Sequence, residues 1–146
     1  MTGYSLRTAT LAALLLAGVP LATAAAAGPS PAFAPSPGSA QRRAILDALR
    51  PAIEAQIGPD VEFVVRQIRV VGGWALVIAD PQRRGGGAID GHHYFADFDN
   101  MGGLMVTALL RQRSGRWTLV EQAIGATDVW YCGRGPRGLT PSCSPN

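Results

Sequence analysis

Two β-rich runs, V-E-F-V-V-R-Q-I-R-V-V at 61–71 and W-A-L-V-I-A-D at 74–80, are separated by nothing but Gly72 and Gly73. Two residues reverse a strand in register only when the central positions take positive φ, which glycine does at no steric cost. The spacing predicts a tight β-hairpin. The pattern recurs downstream: L-M-V-T-A-L-L-R-Q-R at 104–113, then Ser114-Gly115, then W-T-L-V-E-Q-A-I at 117–124. Two such hairpins commit the chain to four antiparallel strands.

The strands carry more than their ends. In the first, Val61, Phe63 and Val65 share one parity while Ile68 and Val70 share the other. One extra residue restores a common face, so a β-bulge is expected near Arg66-Gln67. In the second, Trp74, Leu76 and Ile78 alternate with Ala75, Val77 and Ala79. Both faces are apolar, which predicts a central strand, ended by Pro81.

One helix precedes the strands. Ile45, Leu49, Ile53 and Ile57 recur every fourth residue, with Leu46 widening the stripe. Ser39 is placed to cap its start and Gly58-Pro59 to end it. Pro51 lies within the pattern without shifting its phase, which predicts one kinked helix. The expected architecture is α+β: an N-terminal helix packed on a curved four-stranded antiparallel sheet.

The segments outside this unit speak to compartment. Residues 8–27 are apolar and Ala/Leu-rich, follow Arg7, and end in two A-x-A patterns, Ala22-Thr23-Ala24 and Ala25-Ala26-Ala27. These are features of a secretory signal peptide over residues 1–27, with a membrane anchor as the rival reading. Residues 28–38, G-P-S-P-A-F-A-P-S-P-G, read as a mobile spacer in which Phe33 is incidental, with docking on the domain as the alternative. The domain proper is expected over 39–131. Cys132 and Cys143 are the chain's two cysteines. In an exported chain they read as one disulfide closing the tail 132–146, where the bond substitutes for packing. A periplasmic or secreted location follows, with no membrane span after cleavage.

All 13 basic residues are arginine, against 10 acids, and without Arg7 the formal charge falls from +3 to +2. Spread along the chain, that is not the footprint of a nucleic-acid binder.

Candidate chemistry is sparse. The connection 82–103 is long for a compact domain and holds both histidines, in I-D-G-H-H-Y-F-A-D-F-D. Asp90, His92, His93, Asp97 and Asp99 are metal-ligand types, yet adjacent histidines in an extended loop point apart, and the spacing matches no zinc or calcium motif. Asp80 and Glu121 are a conceivable acid pair on neighbouring strands. No G-x-S-x-G nucleophile elbow occurs. Trp130 and Tyr131 lie beyond the last strand, in a short helical turn that Thr127-Asp128 could cap. They either close an open end of the sheet against the helix or form an exposed patch for a partner. The residues singled out for binding are His92, His93, Tyr94, Trp130 and Tyr131. The reading favoured is a non-catalytic module that binds a protein or small ligand and needs no cofactor. The alternative is a small metal-dependent or pocket-acid enzyme using the 82–103 loop.

A-I-L-D-A-L-R-P at 44–51, V-V-G-G-W-A-L-V at 70–77, A-L-L-R-Q-R-S-G-R-W-T-L-V at 108–120 and I-G-A-T-D-V at 124–129 resemble small exported bacterial proteins of unassigned function. The order and lengths of the elements are similar to a cystatin-like α+β domain. The resemblance implies that fold and brings no catalytic residues with it.

Overall fold

The computed structural model describes residues 1, 28, 30–140 and 143, so residues 2–27 of the expected signal peptide lie outside the described residues. One helix, α1 (Ala40–Ile57), precedes four strands, β1 (Val61–Val71), β2 (Trp74–Arg83), β3 (Val106–Arg113) and β4 (Arg116–Ile124). The strands form one antiparallel sheet in the order β1-β2-β3-β4.

Ser39 caps α1 through its Oγ, which accepts the Arg42 N–H at 3.2 Å. Ile45, Leu49, Ile53 and Ile57 are all fully buried against the sheet. Burial of each is worth about 1.5–3 kcal/mol. This stripe holds the helix on both sides of Pro51, and α1 runs unbroken through it. At the α1–β1 junction, Glu54 Oε1 accepts the Val61 N–H at 3.1 Å while Arg50 Nη1 donates to the Val61 carbonyl.

Both hairpin turns form as expected. Gly72 and Gly73 take φ of 52° and 76°, and Ser114 and Gly115 take 49° and 74°. The expected bulge is present: Val65 pairs with Ala79 and Gln67 with Ile78, leaving Arg66 as the extra residue. Val61, Phe63, Val65, Ile68 and Val70 consequently all belong to the helix-side core. A second bulge lies in β4, where Leu109 pairs with Glu121 but Leu110 with Leu119, so Val120 is the extra residue.

Five expectations are corrected. Pro81 does not end β2, which continues to Arg83. Arg84 donates its N–H to Asp60 O on the β1 side, and Arg83 donates to Gly87 O on the other side. Pro81 has the same sense as Arg83, and β3 pairs with β2 only as far as Ala79, so no acceptor faces the missing donor.

Phe33 is not incidental. It exchanges two backbone hydrogen bonds with Val70, at 3.0 and 2.8 Å, and Pro35 is buried. β1 is an edge strand whose outward groups need partners, and the segment before α1 supplies one pair.

The tail does pack. Val71, Leu76, Leu109, Tyr131 and Leu139 form a second core on the face of the sheet away from α1. Leu76 and Leu109 make that face apolar, and residues 130–139 cover it. The expected helical turn at 129–131 is instead a succession of tight turns.

Trp130 and Tyr131 therefore do not close the sheet against the helix. They sit on its opposite face, Tyr131 buried and Trp130 half-buried.

Candidate functional site

The connection after β2 is anchored by Arg83. Its guanidinium donates to the carbonyls of Ile57 (2.5 Å), Gly58 (3.2 Å) and Pro59 (2.6 Å), satisfying the C-terminal end of α1. The same group meets Tyr94 Oη at 2.7 Å and lies over the Tyr94 ring at 5.8 Å. Tyr94, Phe95, Ile89 and Leu104 pack on the helix-side core and draw the connection back onto the domain.

Within it are two single 3-10 turns, Gly91–His93 and Phe98–Asn100. Asp90 caps the first, its Oδ1 accepting the His92 N–H at 3.0 Å. Gly91 is buried beneath Phe98, and a Cβ there would stand 2.2 Å from the ring. His92 and His93 are both exposed and turn to different neighbours, His92 edge-on to Phe98 (4.9 Å) and His93 edge-on to Tyr94 (4.7 Å). His92 Nε2 lies 3.5 Å from Asp99 Oδ1. Among the described residues no three His, Cys, Asp or Glu side chains converge as metal ligands.

Asp80 and Glu121 are separated by β3, so they are not on neighbouring strands. Each has its own arginine. Arg66, projected by the bulge, grips Asp80 through Nε (2.5 Å) and Nη2 (2.9 Å), and Arg134 reaches Glu121 at 2.9 Å. The hydrogen bond and charge of Asp80 hold the Arg66 guanidinium above its ordinary proton affinity.

On the other face, Cys132 and Cys143 are bonded, their Cα atoms 5.4 Å apart. The loop they close seats fully buried Leu139 on the sheet, and Arg69 Nε donates to Gly138 O at 2.5 Å. Trp130 Nε1 donates to Thr107 Oγ1 at 2.7 Å. Of the five residues singled out for binding, His92 and His93 remain open to a partner, Tyr94 is half engaged with Arg83, and Trp130 and Tyr131 serve the second core.

Three features went unread in the sequence. Arg83 was hidden because it finds its carbonyls only when β2 returns to the end of α1. Leu139 carried a signal, as the one large aliphatic residue of the tail 132–146. The β4 bulge carried one too, since Trp117 and Leu119 share one parity and Ile124 has the other.

No helix among the described residues is long and apolar enough to cross a membrane. Comparison with protein-family models, curated proteins and solved structures finds no match for this chain.

Proposed function

We propose that the chain is an exported, non-catalytic module of cystatin-like architecture that binds a protein or small ligand in the periplasm or outside the cell. The observation that carries this reading is the closure of the sheet on both faces, by α1 on one and the disulfide-tied tail on the other. The middle of each sheet face is committed to packing, so a partner is met on the turns, the strand edges and the 84–105 connection. Export is supported by the apolar leader together with the bonded cysteine pair.

Native mass spectrometry of the full chain, expressed with its leader and recovered from an extracytoplasmic fraction, tests both parts. The expected mass lacks the leader and two hydrogens and carries no metal. A reduced chain with its leader, found in the cytoplasm, would remove export. A stoichiometric metal lost in a His92→Ala/His93→Ala variant would replace the binding reading with metal chemistry.

A further inference from the structure

The arginines are dispersed along the sequence, and the antiparallel meander brings several of them to one end, while Arg83 and Arg84 lie at the other. Both hairpin turns lie at one end of the sheet, since Trp74, first in β2, pairs with Arg111, near the end of β3. Residues 111–116 at that end are all exposed. Arg113 and Arg116 stand directly opposite each other across the β3–β4 pair, and Arg111 shares their face one row back, over the Trp74 ring at 5.2 Å. Arg137 follows Pro136, which lies beside Gly72 of the other turn. None of these four arginines has a carboxylate within ion-pair distance among the described residues.

The first turn of α1 brings Arg42 and Arg43 to the same end. Phe33 pairs with Val70, two residues before the Gly72-Gly73 turn, and Arg42 Nη1 reaches back to Pro35 O at 3.4 Å. The far end holds Asp60, Glu62, Asp90, Asp97 and Asp99, at the start of β1 and in the 84–105 connection. The length of β1, about 35 Å, separates the two groups.

Arg113 opposite Arg116 is a like-charge cross-strand pair, which by itself destabilises a hairpin. An anion bound between the two guanidinium groups would relieve that repulsion. Guanidinium groups match phosphate oxygens bidentately. Their placement around a projecting end, rather than along a groove, suits a flat surface and not a threaded strand.

We propose that the hairpin-turn end of the sheet docks on the phosphate headgroups of an anionic lipid surface, with Arg111, Arg113 and Arg116 as the principal contacts. Residues 111–116 include no apolar side chain, so the contact is electrostatic and does not insert. The acidic end then points away from the membrane. The proposal rests on the binding-module reading only for where the surface is met.

Co-sedimentation of the full, oxidised chain with phosphatidylcholine vesicles, with and without phosphatidylglycerol, tests it. Binding is expected only with phosphatidylglycerol and should vanish near 1 M salt, where the Debye length is about 3 Å. Arg111→Gln/Arg113→Gln/Arg116→Gln should weaken binding about 100-fold, while Arg84→Gln at the acidic end leaves it unchanged. Arg116→Glu separates docking from folding: it should weaken binding about 30-fold yet keep or raise the melting temperature by pairing with Arg113. Equal binding to neutral vesicles, or undiminished binding by the triple variant, overturns the proposal. So does capture of a soluble polyanion or an acidic protein at this end with no vesicle binding, a result that leaves the binding-module reading intact.

Discussion

Trp130 donates its indole N–H to the hydroxyl of Thr107 at 2.7 Å, joining the tail to a central strand. Thr107 is only 2% exposed. A buried hydroxyl without a partner is costly, so this bond fixes where the tail crosses the sheet. Thr107→Val and Trp130→Phe should each destabilise by about 1–3 kcal/mol, because each strands the other's polar atom. Their combination should cost less than the sum, with a coupling of about 1 kcal/mol in a urea double-mutant cycle. Additive losses would show that the two groups act independently.

The tail should contribute to global stability. Leu139→Ala removes a fully buried side chain from the second core and should cost about 2–5 kcal/mol. Replacing both cysteines by serine should cost about 3 kcal/mol, the loop-closure value for a sequence separation of 11. Denaturant unfolding with and without reductant measures both effects. A tail that only decorates the domain would leave the midpoint unchanged in each case.

The end of α1 depends on Arg83. Arg83→Met keeps the stem and removes the donors to Ile57, Gly58 and Pro59, leaving those carbonyls uncapped. A loss of about 1–3 kcal/mol is expected, with faster amide exchange in the last helical turn. Gly58→Ala should cost a similar amount, since φ is +81° and the new Cβ would lie 2.7 Å from Tyr94 Oη. Protection in the helix centre, around Leu49, should be less affected than at Ile57.

The bidentate Arg66–Asp80 pair should matter far less than its geometry suggests. The side chains are 59% and 36% exposed, so solvent screens them. Arg66→Ala should shift the denaturation midpoint only slightly, and the difference should shrink with added salt. A large, salt-independent shift would mean that Arg66 is needed to form the bulge itself.

Much of the fold was legible from local pattern. The Gly72-Gly73 and Ser114-Gly115 turns, the phase change at Arg66, the apolar stripe of α1 and the Cys132–Cys143 pairing each depend on a few neighbouring residues and simple geometry. Pro81 shows the limit of local reading. Whether a proline ends a strand depends on which neighbour faces its nitrogen, and that is settled by how far β3 extends. Phe33 was misread for a related reason, because its partner Val70 belongs to an edge that exists only once the sheet has formed.

The candidate site divides in the same way. The sequence by itself marked the 82–103 connection through its histidines and carboxylates, and it marked the tail through Cys132 and Cys143. Tertiary structure alone decided that Asp80 and Glu121 lie apart, and that Tyr131 and Leu139 serve a second core. It also brought Arg111, Arg113, Arg116 and Arg137 to the hairpin-turn end of the sheet. The physical reason is that periodicity and turn chemistry act over a few residues. Strand order, face covering and charge distribution arise from contacts between residues far apart in the chain, and these take shape only when the meander closes.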